Sequence, residues 1–376
     1  MIFHFLRLIA LLLSLASAAP ALERIRVSPD GKGFIQEPSG RTFTPWGMNY
    51  SSNDLEERWD RDWPAIGHDL AELQRLGVNV LRIHLQLHRF MSGPDEVSAP
   101  ALRQLGRFLD LAESHGLYVD VTGLACYAPA HHQPWYDALD EAQRWATQAR
   151  FWEAVARQCA ASSAVFCYDL MNEPVSPGGN DRKPGEWYSG KLFGGYDYLQ
   201  WIALHQGERK RDLIARDWIR KLVSTIRRVD HHHLITVGLL PTVKGVPFFG
   251  FNPATVAPEL DFISVHVYPD RKDLPDAMNV LRHFVVPGKP LVIEETFPLT
   301  CSPDELRQFL LESRGTACGW IGHYLGKTQR ELEAGRNAGT LTVGDDLSLQ
   351  WLLLFQELRG QMSEVAPTPP PRPNRN

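Results

Sequence analysis

Eight short apolar runs, each followed by a stretch of helical periodicity, constrain this chain more than any other feature of its sequence. The runs are Phe43–Tyr50, Val78–Leu85, Leu117–Leu124, Val165–Met171, Leu234–Leu239, Phe262–Val267, Leu291–Glu295 and Ala317–His323. They are nearly continuous in apolar residues rather than alternating, which predicts strands buried on both faces. Between them lie helical patterns at Asp62–Leu76, Ala101–His115, Glu141–Ala160, Asp212–Val229, Asp273–Val285, Asp304–Ser313 and Leu347–Leu358. Turn signals such as Leu76-Gly77-Val78 and His115-Gly116-Leu117 close helices just before the next strand. Parallel strands buried on both faces, with crossover helices, predict a single-domain α/β fold closed into a (β/α)8 barrel. The fifth helix is only a short Pro-bounded segment near Thr255–Glu259, so an open doubly wound sheet is the competing architecture. That alternative lacks the glycine-rich phosphate turn expected after its first strand.

Two of the strands end in carboxylates. The run AVFCYDLMNEP delivers Asn172 and Glu173 ahead of Pro174, and KPLVIEETF at 289–297 delivers Glu294 and Glu295. A strand interior excludes unpaired charge, so an acidic strand end in a barrel usually has a chemical task. Carboxylates brought together from two strands can cleave a glycosidic bond, one moving a proton and the other attacking or activating water. Glu173 is the candidate acid/base, with Asn172 beside it to bind a sugar hydroxyl. An Asn-Glu-Pro turn at a strand end is the plain structural alternative. Between Glu294 and Glu295 the pattern leaves the choice open. Adjacent strand residues face opposite sides, so one is expected in the cleft and the other among the helices or beside a basic partner.

Together these segments resemble glycoside hydrolase family 5, part of a clan of retaining (β/α)8 glycosidases. The resemblance is carried by WGMNY at 46–50, LRIH around Arg82, DLMNEP at 169–174, VHVYP at 265–269, KPLVIEETF at 289–297 and CGWIGHY around Trp320. It implies Glu173 as acid/base at the end of the fourth strand. Lys289-Pro290 sets the register of the seventh strand and implies Glu295 as nucleophile. Arg82 is implied to bind the nucleophile, His266 and Tyr268 to line the cleft, and Trp320 to form the sugar platform. Independently, Arg82 and His84 alternate onto one strand face, where a cation would keep Glu295 ionised. One departure is clear. The family often has Asp-x-His at the end of its third strand, and Tyr118–Leu124 lacks that histidine. His131 or His132 would have to substitute, unless both are solvated loop residues.

The remaining features refine the expectation. Net charge is −5, and eleven tryptophans lean toward carbohydrate rather than nucleic acid or an anionic surface. Arg7, the apolar stretch Leu8–Leu15 and Ala16-Ser17-Ala18 read as a signal peptide over residues 1–18, hence a secreted or periplasmic protein. Its apolar stretch is too short for a membrane anchor, which needs ~20 residues. Residues 23–362 form the expected catalytic domain and 363–376 a disordered Pro-rich tail. Export would permit disulfides, with Cys159/Cys167 and Cys301/Cys318 the near pairings and Cys126 left over as a buried thiol. The long stretch 174–207 carries Trp187, Tyr188, Phe193, Tyr196, Tyr198 and Trp201, and is either a substrate-stacking lid or a self-packed loop. A monomer acting on an oligo- or polysaccharide, without cofactor or metal, is expected. The rival readings are a non-catalytic sugar-binding barrel and a metal-dependent hydrolase. For the latter, His131-His132 and His231-His232-His233 would be the ligands, although the triple precedes the fifth strand, on the stability face.

Overall fold

A computed structural model describes residues 22–179, 181–191, 194–241, 249–271 and 274–363. The expected leader, most of the expected tail and Phe193 lie outside these residues. Eight parallel strands close into a barrel. They are β1 (Trp46–Tyr50), β2 (Val80–Gln86), β3 (Tyr118–Ala125), β4 (Val165–Asn172), β5 (Leu234–Leu239), β6 (Ile263–His266), β7 (Leu291–Glu295) and β8 (Gly319–Tyr324). Helices α1 (Trp63–Leu76), α2 (Ala99–Ser114), α3 (Glu141–Cys159), α4 (Arg211–Arg227), α5 (Pro253–Val256), α6 (Leu274–Phe284), α7 (Pro303–Ser313) and α8 (Val343–Ser363) complete the eight βα units. The single-domain (β/α)8 reading therefore holds, and the short fifth helix is the four-residue α5. No helix among the described residues is long and apolar enough to cross a membrane.

The helices start and stop where side chains satisfy their free backbone groups. Asp62 caps α1 and Asp140 forms a capping box with Gln143 at α3; Ser302 and Glu305 do the same at α7. Gly77 ends α1 in the left-handed conformation, at φ 89°. A short antiparallel sheet, Arg24–Val27, Phe34–Glu37 and Thr42–Phe43, lies ahead of β1. Its Ile25, Phe34 and Phe43 enter the N-terminal end of the barrel against Val80, Tyr118, Phe166, Phe262 and Ile321. Edge-on rings, such as Phe34 with Phe166 and Phe262 at 5.2 Å, fill that end. The other core lies between the barrel wall and the helices.

The tryptophans mostly serve this second core. Seven of the eleven are buried, namely Trp46, Trp59, Trp152, Trp187, Trp218, Trp320 and Trp351. The cysteine pairings are not formed: all five cysteines are buried and unbonded to one another. The barrel wall explains why. Cys159 and Cys301 belong to the core outside it, whereas Cys167 and Cys318 belong to the cluster at the N-terminal end.

Candidate active site

The polar residues collect at the C-terminal ends of the strands, and irregularities in two strand pairs aim several of them. Between β6 and β7 the register jumps from Val265↔Ile293 to His266↔Glu295, which gives β7 one extra residue at Glu294. Such a bulge re-aims the side chains around it. Glu294 and Glu295 therefore both reach the barrel interior, where simple alternation allowed only one. A second shift, from Thr236↔Asp169 to Gly238↔Asn172, places Asp169 and Asn172 together on one side of β4. The chain then turns through Glu173 at φ 46°, a left-handed conformation unfavourable for a residue with a side chain. Glu173 N–H donates to the Gly238 carbonyl at 2.9 Å, which helps hold that turn.

Arg82 organises the centre. Fully buried, its guanidinium donates to Glu295 Oε1 at 2.6 Å, Asp169 Oδ2 at 2.7 Å, Asn49 Oδ1 at 2.9 Å and Asn172 Oδ1 at 3.0 Å. Glu295 receives a second donor, the Tyr268 hydroxyl, at 2.5 Å from Oε2. The same hydroxyl lies 2.8 Å from His323 Nε2, so it accepts from that ring while donating to Glu295. His266 Nδ1 lies 2.8 Å from Glu173 Oε1 and 3.5 Å from Glu295 Oε2. Single atoms of Glu173, His266 and Glu295 all fall within 4.8 Å of one another. Both carboxylate side chains are nearly enclosed, Glu173 at 13% and Glu295 at 11% exposure.

Electrostatics fix the charge on Glu295 and on the histidines around it. Burial pushes the Glu295 carboxyl upward, but the cations His266 and Arg82 outweigh it and hold it far below the usual range. Burial opposes the charge on His266 as well. There Glu295, Glu173 and Glu294 win, raising the imidazole to about 10. His84 is driven well down by burial and by Arg82 next to it. It stays neutral, held between the Tyr127 hydroxyl at 2.6 Å and Asn49 Oδ1 at 3.0 Å.

The structure thus gathers Arg82, Asn172, Glu173, His266, Tyr268 and Glu295 at one place, and it corrects the expectation for Trp320. On β8, Ile321 and His323 face inward, so Trp320 faces the helices. It is 3% exposed, its indole donates to Ser313 Oγ at 2.8 Å, and its ring meets Trp46 edge-on. It cannot stack on a sugar in the pocket. His323, the last residue of the expected run Ala317–His323, takes the inward place instead. The alternation from Ile321 was the available signal for it. His131 and His132 do not enter the pocket. The first ring packs on His88 at 4.3 Å and the second on Tyr188 at 3.9 Å. At the opposite end of the barrel His233 pairs with Asp230 at 2.6 Å.

The described residues of the stretch 174–207 pack largely on one another and on α3 and the turn before it. Trp187 is buried and donates to the Asp137 carbonyl, Tyr188 donates to Asp137 Oδ1 at 2.6 Å, and the Arg144 guanidinium lies over Trp187 at 4.3 Å. Its far end reaches the pocket. The Tyr198 carbonyl accepts from Asn172 Nδ2 at 3.3 Å, and the Tyr198 ring sits 5.1 Å from Tyr127. Sequence reasoning found the aromatic stretch but not which ring comes to the site.

A closed parallel barrel with paired carboxylates at its C-terminal mouth is the arrangement of a glycoside hydrolase. The family model "Cellulase (glycosyl hydrolase family 5)" matches residues 37–296, and the chain belongs to that family of glycoside hydrolases. No curated protein matches the sequence significantly. Among solved structures, the exo-β-1,4-mannosidase of Opitutaceae bacterium strain TAV5 superposes with TM-score 0.61 at 18% identity, over 90% of this chain and 63% of that one. The β-mannanase of the blue mussel Mytilus edulis gives TM-score 0.57 at 16% identity, over 90% and 97%. A GH5_18 protein from Streptomyces cattleya in complex with GlcNAc gives 0.61 at 18%, over 86% and 82%. At these identities the likeness establishes the shared fold. The chain spans less than two thirds of the first of these proteins.

Proposed function

We propose that the protein is an exported retaining β-glycosidase that cleaves β-linked mannan or glucan saccharides by double displacement. The observation that carries this reading is the contrast around the two carboxylates. Glu295 is ionised and gripped on both oxygens, by Arg82 and Tyr268, while an oxygen of Glu173 lies within 4.8 Å across the pocket. That closeness accords with a nucleophile and an acid/base, whose carboxyl groups lie ~5–5.5 Å apart in retaining enzymes. Glu295 attacks the anomeric carbon as Glu173 gives its proton to the departing oxygen. Glu173 then takes a proton from the water that releases the sugar. The mannosidase and mannanases among proteins of this fold favour mannan over glucan. The leader pattern ending at Ala18 supports export.

The test is direct. An activated 2-fluoro mannoside or glucoside should leave its sugar on Glu295, read by peptide mass spectrometry, and a reducing-sugar assay over mannan, glucan and xylan ranks the substrates. A label on Glu294, or product of inverted configuration, overturns the mechanism. Binding without turnover of any β-glycoside would favour the sugar-binding barrel instead.

A further inference from the structure

Beneath the pocket the barrel holds a layer of carboxyl groups that the double displacement does not use. Asp120 on β3, Asp169 on β4 and Glu294 on β7 are wholly buried, and one oxygen of each lies within 4.8 Å of the others. Asp169 is well satisfied, receiving Arg82 at 2.7 Å, Thr122 Oγ1 at 2.8 Å and the Gly238 N–H at 2.8 Å. Asp120 and Glu294 are different: no N–H or O–H donor reaches any of their four oxygens. Buried polar groups without partners are rare because nothing replaces the water they gave up.

The charges nearby do not remove the problem. Glu294 Oε2 lies 3.8 Å from Arg82 Nη2 and 3.6 Å from His266 Nε2, and His266 Nε2 has no other partner. Arg82 and His266 already face Asp169, Glu295 and Glu173. The other groups around the layer are Cys167 on β4 beside Asp120, Asn49 on β1, whose amide donates to the Glu294 carbonyl, and Thr122 on β3. His84 on β2, His323 on β8 and Tyr268 after β6 stand above it with Glu295. Counted together, Asp120, Asp169, Glu294 and Glu295 would bring four negative charges against two positive ones. Space for an ion or water is lacking on the β5 side, since a Cβ at Gly238 would meet Arg82 Nη2 and His266 Nε2 at 2.8 Å and Glu294 Oε2 at 2.9 Å. Adjacent buried carboxyls in such a setting resolve their repulsion by keeping one proton between them.

We propose that Asp120 holds a proton that it shares with Glu294, and that Glu294, left anionic, is a positioning residue that keeps His266 as the doubly protonated donor to Glu173. The electrostatics agree with the geometry. Burial, Glu294 and Asp169 push Asp120 well up, whereas Arg82 and His266 hold Glu294 down against its burial. The role assigned to Glu294 rests on the glycosidase reading of Glu173. The charge states can be read without any turnover.

Three isosteric variants and one spectroscopic pair test it. In the wild-type protein at pH 7, infrared spectra should show a protonated-carboxyl band that Glu173→Gln leaves in place, and Asp120→Asn should remove it. Nitrogen resonances of labelled histidine should report His266 as imidazolium at pH 8 in the wild type and in Asp120→Asn, but as neutral imidazole in Glu294→Gln. With an active substrate, Glu294→Gln should also move the alkaline limb of kcat/KM down by at least one pH unit. A merely structural Glu294 would lower the melting temperature and leave that limb and the resonances in place, which overturns the proposal. So would a missing carboxyl band in the wild type, or one bound divalent cation per chain whose chelation changes the infrared spectrum. Should Glu294→Gln not fold, the wild-type band and its loss in Asp120→Asn still decide where the proton sits. A normal charge-state result with no glycoside turnover would instead fault the functional reading alone.

Discussion

The two ends of this barrel are built from the same strands yet solve opposite problems. At the N-terminal end, Ile25, Phe34 and Phe43 of the leading sheet close the interior with rings and aliphatic groups. Toward the C-terminal end, the same inward positions of β2, β3, β4, β6 and β7 carry Arg82, Asp120, Asp169, His266 and Glu294. Apolar plugging stabilises with little directional demand, because transfer from water scales with buried area. A buried ionic layer holds only if each charge is paired, because desolvation nearly cancels the attraction. The first end therefore tolerates substitution by volume, and the second depends on the identity of each atom. Chemistry is confined to the end that is expensive to fold.

The largest expected effect lies at that end. Glu295→Ala should lower kcat by about 10⁴-fold or more, the scale seen when a nucleophile is removed. The circular dichroism spectrum should be unchanged, since Glu295 stands at the rim rather than in the plug. Retention of more than a hundredth of the activity would remove Glu295 from the nucleophile's role. A pair of stability measurements then sharpens the contrast between the ends. Arg82→Met leaves Asp169 and Glu295 without their cation, and losing one partner of a buried pair costs about 3–5 kcal/mol. Phe34→Ala should cost a similar ~3–5 kcal/mol by opening a cavity. Only the arginine variant should also lose activity and change its response to pH. If Phe34→Ala shifts the pH–rate profile, the two ends are coupled and the comparison fails.

The pH dependence of stability follows from the same layer. Glu295 is held well below its unfolded range, so its contribution is present above about pH 4.3 and disappears as pH falls further. His266 is raised to about 10, so its contribution is complete below about pH 6.5 and is lost as pH climbs through 10. Thermal denaturation should therefore show a plateau between about pH 5 and 6.5 and a decline on each side. Exchanging His266 for Gln should flatten the alkaline decline; an unchanged slope would place the titrating group elsewhere.

The outline of this molecule was readable from apolar runs because a two-sided buried strand leaves a continuous signature. β5 and β7 match their expected bounds, and most other strands shift by a residue or two. What escaped the sequence is local geometry. One extra residue in β7 turns Glu294 inward, and no alternation rule foretells a bulge. Nor did composition reveal the leading sheet, whose strands span only two to four residues. Trp320 shows the opposite failure. A motif placed a tryptophan on the right strand, but the position along the strand decides which face it takes, and the odd offset of three positions puts Trp320 on the face opposite the inward His323.

That last point yields the smallest and most discriminating effect. Trp320→Phe keeps an aromatic ring between Trp46 and α7 but removes the indole N–H that Ser313 Oγ accepts. The loss of one buried hydrogen bond, with Ser313 left a smaller deficit, should cost about 1 kcal/mol. A domain of this size would then melt only about 2–4 °C lower or less. Because the ring faces the helices, KM and kcat for the preferred saccharide should match those of the wild type, whereas a stacking platform would show a rise in KM of tenfold or more. Equal kinetics with a lowered melting temperature would keep Trp320 in the structural half of the barrel. A raised KM at unchanged stability would return it to the sugar's side of the wall.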